Sequence, residues 1–283
     1  MRTTHAFIRA KRLHKKWVML TAYDAPTAEL LESAGVDLIL VGDSLGMVVL
    51  GYSSTVDVTM DEMIHHAKAV RRGAKKSFIV ADMPLKGLEK GPRQALGSAK
   101  RFINEAGCDA VKVEWGSRAL KITDLLIKNK IPVMGHIGLT PQTAGKKGGF
   151  KVQGQKAEQA AKIFEQALLL EKHKVFSVLL ECVPRPLAKM ITQSLKIPTI
   201  GIGAGPFCDG QVLVFNDIVG LFKKFHPRFV KKYVDADALM RKAVLKYKED
   251  VLRGRFPIAK HSFSMKQEEL LKFHKLSLRG VTK

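Results

Sequence analysis

Ionisable side chains recur at one kind of place in this sequence, the carboxyl ends of short apolar runs. Tyr23-Asp24 ends the first run, Asp43-Ser44 the second and Asp82 the third. Lys112 and Glu114 close the fourth, His136 the fifth and Glu181 the sixth. A charged residue after one strand is ordinary loop chemistry. Repetition at successive run ends implies a shared site, provided that the runs are strands ending on one rim. Asp43, Asp82 and Glu114 offer hard oxygen donors, which suit Mg²⁺ with waters better than zinc. Lys112 and Glu114 stand two residues apart, so on a strand an ammonium and a carboxylate face the same way. Glu181 directly follows Val178-Leu179-Leu180. An apolar setting raises a carboxyl pKa toward general-base use, and a buried ion pair is the alternative for this residue.

The elements that must position these groups follow from the pattern. Apolar runs at 17–23, 37–42, 77–81, 110–113, 131–135, 177–180 and 197–202 are rich in Val, Ile and Leu, with a further run at 212–215. Such runs, bounded by Gly, Pro, Asp or Glu, suit strands of a parallel sheet covered on both faces. Amphipathic segments at 25–34, 60–72, 93–106, 120–128, 157–172 and 186–195 alternate with them, and Gly35, Gly73 and Gly107 read as helix stops. The alternation predicts a (β/α)₈ TIM barrel, with a doubly wound open sheet as the competing fold. Two long loops, 42–57 and the glycine-rich 138–154, suit covers over an active site. A basic helix is expected at 236–252, and 264–283 reads as a separate basic extension beyond a single domain at 1–263.

The chain has 283 residues and a formal charge of +22. Residues 1–16 carry +6 and residues 221–283 carry +11, which leaves the 204 residues between them at +5. The basicity therefore concentrates at the two ends. Three cysteines make a disulfide scaffold unexpected and suit a reducing compartment. No secretory signal or membrane-length apolar stretch is visible, so a cytoplasmic location is expected. A nucleic-acid partner is not expected, because basic and aromatic residues interleave only around His226–Tyr233 and no known module is present. Gly201-Ile202-Gly203-Ala204-Gly205 reads as a packing device or an anion cradle. Cys182 reads as core, and His65-His66 and His173 as surface residues.

Several motifs carry a resemblance. They are Leu20-Thr21-Ala22-Tyr23-Asp24, Val41-Gly42-Asp43-Ser44-Leu45-Gly46-Met47 and Gly135-His136-Ile137-Gly138-Leu139-Thr140-Pro141-Gln142. With them go Gly149–Gly154, Leu180-Glu181-Cys182-Val183-Pro184, the glycine run and Cys208–Val214. Collinear over about residues 2–263, they resemble the ketopantoate hydroxymethyltransferases (3-methyl-2-oxobutanoate hydroxymethyltransferases). The resemblance implies a barrel that assembles as a homo-oligomer, typically a decamer. It also implies transfer of a one-carbon unit from 5,10-methylenetetrahydrofolate to 3-methyl-2-oxobutanoate, on the way to pantothenate and coenzyme A. Carried over by motif, Asp43 and Asp82 would ligate Mg²⁺, with Glu114 completing the shell. Asp43, Ser44, Asp82, Lys112 and His136 would contact the keto acid, and Glu181 would be the base. Trp115, Pro84–Leu88 and Asn216 depart from the family pattern. The alternative is a related Mg²⁺-dependent keto-acid C–C lyase of the phosphoenolpyruvate/pyruvate barrel type. Those enzymes commonly carry a catalytic Cys in a Lys-Cys-Gly-His-type loop, which is absent here.

Overall fold

Eight parallel strands pair in sequence order, and the last pairs with the first, closing a barrel in the computed structural model. The structure describes residues 3–144, 151–225 and 227–279. The strands are β1 (Trp17–Thr21), β2 (Leu38–Val41), β3 (Phe78–Asp82), β4 (Ala110–Glu114), β5 (Val133–Gly138), β6 (Ser177–Glu181), β7 (Thr199–Ile202) and β8 (Gly210–Leu213). The helices are α1 (Thr4–Arg12), α2 (Ala25–Ser33), α3 (Leu45–Val48), α4 (Met60–Gly73), α5 (Leu85–Leu88), α6 (Pro92–Asn104) and α7 (Ala119–Lys128). They continue with α8 (Pro141–Ala144), α9 (Ala157–Lys172), α10 (Arg185–Ser194), α11 (Phe215–Ile218), α12 (Ala236–Leu252) and α13 (Gln267–Arg279). The expected (β/α)₈ barrel is thus the observed fold. It forms one compact unit, Met1–Tyr233, and Val234–Lys283 forms a second. Of the sequence features, Gly145, Gly148, Gly149, Phe150 and His226 lie outside the described residues.

Local chemistry sets the element ends. Thr59 caps α4 from its hydroxyl to the Glu62 N–H, and the Glu62 carboxylate accepts from the Thr59 N–H in return, a capping box. Asp24, at the end of the first apolar run, accepts from the Thr27 N–H and caps α2. The eighth strand begins and ends earlier than its apolar pattern suggests, because Phe215 already opens a short helix. Gly73 does not stop α4 by a left-handed turn. It is the last residue of that helix, and a Cβ there would fall 2.1 Å from the Ala25 carbonyl oxygen of α2. Gly73 is therefore small because two helices touch.

The sequence pattern shows no helix at the basic N-terminus, yet α1 forms there, capped by Thr3. Its Phe7 is 2% exposed and packs edge-on against Trp17 and Phe78, at centroid distances of 4.5 and 5.0 Å. Burying such a ring contributes about 2–3 kcal/mol, enough to hold a short helix across the strand starts. The α-helical layer packs on the outer faces of the strands through a core that includes Met63, Ala99, Phe102, Leu126 and Leu170. None of the described helices is long and apolar enough to cross a membrane.

Candidate active site

All the strands run the same way, so the residues at their carboxyl ends meet on one rim. Register then selects neighbours. Asp82 is paired with Lys112 across β3 and β4, and Glu114 with His136 across β4 and β5. Paired residues of adjacent strands share a face, so these four side chains enter one cavity of about 320 Å³, with Asp43, Ser44 and Glu181. The structure therefore brings together all seven side chains singled out from the sequence. Gly138 sits opposite Glu181 with φ +96°, and a Cβ there would fall 2.2 Å from the Glu181 carbonyl oxygen. Only glycine allows β5 to approach the base of the Glu181 turn so closely.

The contacts divide the site in two. On one side Lys112 Nζ donates to Asp82 Oδ1 at 2.5 Å, both side chains being almost fully buried. Asp43 stands beside this pair, and its backbone N–H lies 3.5 Å from Asp82 Oδ2. The Gln142 amide donates to Asp43 Oδ2 and to the Met83 carbonyl, both at 2.9 Å. On the other side His136 lies between two carboxylates, Nδ1 at 3.5 Å from Glu114 and Nε2 at 3.1 Å from Glu181. These are ion-pair distances without hydrogen-bond alignment, since neither ring nitrogen has an aligned partner among the described residues.

Burial governs the protonation of this cluster. Burial, followed by the neighbouring Asp82 charge, pushes the Asp43 carboxyl well above the usual carboxylate range, against the pull of Lys112 and Gln142. Glu114 is also pushed up by burial, with His136 and Lys112 opposing the shift. Burial disfavours the Lys112 ammonium, but Asp82, Asp43 and Glu114 outweigh it and raise Lys112 to about 12. Burial and Lys112 likewise disfavour a charged His136, yet Glu114 and Glu181 raise it to about 9. Asp82, Asp43 and Glu114 thus favour the charged form of Lys112, and Glu114 and Glu181 that of His136.

Two buried carboxyls of adjacent strands, one of them raised by the other, are a donor pair that a hard cation would relieve. No ready cage of three His, Cys, Asp or Glu side chains is present among the described residues. Glu114 is turned to His136 instead, so its contribution to a cation's shell would run through water.

Several positions that line or support the site were not among the seven candidates. Tyr23 is buried, and its hydroxyl hydrogen-bonds the Ser44 hydroxyl at 2.9 Å; burial drives the phenol pKa up. Gln142 reaches Asp43 from α8, 99 residues away in sequence. Asp217 and Thr55 also line the cavity, and the Thr55 hydroxyl is buried with no hydrogen-bond partner among the described residues. Gln142 and Thr55 are uncharged polar residues in a short helix and a loop, where neither periodicity nor charge marks them out, whereas Tyr23 ends an apolar run and Asp217 is charged but lies beyond the eighth run. Cys182 is half-buried and lines the cavity, so it is not core, and burial together with Glu181 holds its thiol up at about 12. His66 is not a plain surface residue, since its Nδ1 lies 2.7 Å from the Tyr23 carbonyl oxygen. The glycine run is a packing device: a Cβ on Gly203 would fall 2.7 Å from the Phe229 ring, and one on Gly205 would fall 2.7 Å from the Arg185 side chain.

A closed parallel barrel with acids, a lysine and a histidine converging at the carboxyl ends of its strands defines a barrel enzyme working at that rim. Among solved structures the likeness is one of fold. The crystal structure of 2,3-dimethylmalate lyase, a PEP mutase/isocitrate lyase superfamily member, matches with TM-score 0.59 and 15% identity over the whole of both chains. Sequence comparison is more specific. The model of the ketopantoate hydroxymethyltransferase family matches residues 1–259, and the chain belongs to that family. It is 52% identical over 262 residues to a 3-methyl-2-oxobutanoate hydroxymethyltransferase from Thermus thermophilus, covering 93% of this chain and 99% of the relative. The enzyme of the same name from Syntrophomonas wolfei is 48% identical over 270 residues, covering 95% of this chain and 98% of the relative.

Proposed function

We propose that the protein is a 3-methyl-2-oxobutanoate hydroxymethyltransferase. It takes 5,10-methylenetetrahydrofolate as its one-carbon donor and forms 2-dehydropantoate, the first committed step toward pantothenate and coenzyme A. The observation that carries the assignment of roles is the two-sided cavity, with Lys112, Asp82 and Asp43 on one side and His136 and Glu181 on the other. An α-keto acid needs both sides at once, one to bind its oxygens and one to remove its C3 proton.

Asp43 and Asp82 would hold Mg²⁺, with Glu114 completing the shell through water. When bound, the ion supplies Lewis-acid polarisation of the keto group. Lys112, fixed by Asp82, places a positive charge where negative charge accumulates as the C3 proton leaves. The Ser44 hydroxyl, oriented by Tyr23, holds the keto acid. Glu181 takes the C3 proton, and His136 orients that carboxylate from 3.1 Å while lining the substrate pocket. The carbon nucleophile then takes up the folate-borne methylene carbon, and one water cleaves the remaining carbon–nitrogen bond, which leaves a hydroxymethyl group on the product and releases tetrahydrofolate. The apolar mouth, with Met47, Val152, Phe222 and Phe225, limits water around the nucleophile.

The enzyme works as a homo-oligomer in this reading, a decamer by family resemblance. The many exposed apolar side chains of α12, such as Leu239, Met240, Val244 and Leu245, support assembly. A cytoplasmic location fits a biosynthetic enzyme of this kind. The test of the chemistry is Glu181→Gln. We expect it to abolish exchange of the substrate C3 proton in deuterated water, followed by NMR, while 3-methyl-2-oxobutanoate still binds in the presence of Mg²⁺. Normal exchange in the variant would remove Glu181 from the role.

A further inference from the structure

The end of the barrel opposite the catalytic rim carries a feature that the chemistry does not use. Each connection entering a strand emerges on this face, and several bring lysines: Lys15 before β1, Lys75 and Lys76 before β3, Lys130 before β5, Lys174 before β6 and Lys196 before β7. All six are exposed, and none has a carboxylate partner among the described residues. The acids of the same face keep their charge but are turned to backbone N–H groups rather than to these lysines. Asp37, Asp109 and Asp209 accept from the backbone N–H of Val18, Ile79 and Thr199. Glu32 accepts from the N–H groups of Lys76 and Ser77, and Glu171 from those of Lys196 and Ile197. Helix carboxyl ends converge here too, and their partial negative charge makes lysines tolerable without neutralising them.

Two clefts open among these lysines. One, of about 510 Å³, is lined by Arg71, Lys75, Lys76 and Ser77 with Glu32 and Asp109. The other, of about 410 Å³, is lined by Lys128, Lys172, His173 and Lys174 with Asp124. Asp124 is itself held by His173 at 2.5 Å. Lys130 and Lys174 also adopt left-handed backbone, φ +61° and +62°, where glycine would be less strained.

We propose that this amino-terminal face of the barrel binds the phosphate backbone of a nucleic acid without reading its sequence. Lysines are flexible point charges suited to phosphate, and they are depleted in the cores of protein interfaces. Among these connections Leu13 is the only large exposed apolar residue described, with Val18 exposed beside them at the start of β1, which leaves isolated side chains rather than an apolar patch to anchor a protein partner or to insert into a membrane. No exposed aromatic platform is present among them either, so affinity would be electrostatic and steeply salt-dependent. The linear sequence conceals this face, because the fold gathers it from five separate connections, most of them inside the nearly neutral middle of the chain.

The test is fluorescence anisotropy of the full-length protein with a labelled 20-nucleotide RNA of mixed sequence, titrated from about 50 to 200 mM salt. We expect a log–log salt slope of several units, the same for a second unrelated sequence. The quadruple variant K75Q/K76Q/K130Q/K174Q should weaken binding at least tenfold and reduce the slope by about 3, at about 0.7 for each phosphate that it no longer neutralises. Its hydroxymethyltransferase activity should be unchanged. A control variant, K242Q/K248Q/K266Q/K275Q, removes as many exposed lysines from the 234–283 unit and should leave binding near wild type. Absence of RNA binding at 50 mM salt overturns the proposal, as does equal weakening in the control. Equal or tighter binding to polyglutamate, or to phosphatidylserine vesicles, overturns it in favour of an acidic protein or a membrane.

Discussion

The two ends of the barrel use aspartate in opposite ways. At the amino-terminal end, Asp37 precedes β2 and accepts from Val18 of β1 at 3.0 Å, Asp109 precedes β4 and accepts from Ile79 of β3 at 2.8 Å, and Asp209 precedes β8 and accepts from Thr199 of β7 at 2.8 Å. The same device thus closes three strand pairs, and each carboxylate is paired to a backbone donor that would otherwise be unsatisfied. At the carboxyl end, Asp43, Asp82, Glu114 and Glu181 face a cavity, and their nearest partners are one another, Lys112, His136 and Gln142. The first arrangement stabilises the fold. The second accumulates buried charge that the fold alone does not need, as expected where function competes with stability.

That contrast can be broken most sharply by removing one aspartate charge from each end. Asp43→Asn keeps an oxygen to accept from Gln142 but ends the repulsion with Asp82. Activity with 3-methyl-2-oxobutanoate, methylenetetrahydrofolate and Mg²⁺ should fall about a thousandfold. The melting temperature without added Mg²⁺ should stay level or rise. A clear drop in melting temperature would show that Asp43 is structural and that the two ends are alike.

The mirror experiment is Asp109→Asn. Asp109 holds Arg71 at 2.5 Å as well as the Ile79 N–H. Losing a charged acceptor there costs about 1–3 kcal/mol, a fall of roughly 2–4 °C in melting temperature for each kcal/mol. Activity at 25 °C should hold within about twofold. If activity fell in step with Asp43→Asn while stability held, the division between the ends would be wrong.

The same contrast explains what the sequence revealed. The strands were legible because parallel barrel strands are apolar on both faces, and each helix from α2 to α10 of more than four residues matched an amphipathic segment to within a few residues. The seven candidate site residues were legible because charge at the end of an apolar run is conspicuous. Gln142 and Thr55 were not, since their roles depend on which loops meet, and local pattern carries no such information; Tyr23 stood at a run end, but its contact with Ser44 was not readable there. Helix α1 escaped because its cue is Phe7, a single aromatic whose partners Trp17, Phe78 and Phe176 sit at or just before the starts of three different strands. The Gly-x-Asp pattern of Gly35-Val36-Asp37 and Gly107-Cys108-Asp109 is a visible repeat, but it becomes meaningful only when each Asp is seen on the preceding strand.

The smallest expected effect tests whether amino-terminal acids owe their value to ionised contact with the backbone. Burial alone would push Glu32 up, yet the N–H groups of Lys76 and Ser77 and the Ser77 hydroxyl outweigh it, so its carboxyl lies below the ordinary value of 4.5. A carboxyl with a lowered folded-state pKa stabilises the protein at pH values above its unfolded pKa, and the contribution disappears as pH falls through the folded value. Glu32 is partly exposed, so solvent screening limits that contribution to about 1 kcal/mol or less. Glu32→Gln should therefore be slightly less stable than wild type at pH 7 in urea unfolding, and the two should converge as pH falls through the lowered folded-state pKa. A gap that widens toward acid would mean that the protonated carboxyl makes the better contact. The amino-terminal acids would then be neutral hydrogen-bonding groups, and their contrast with the carboxyl-end cluster would rest on burial alone.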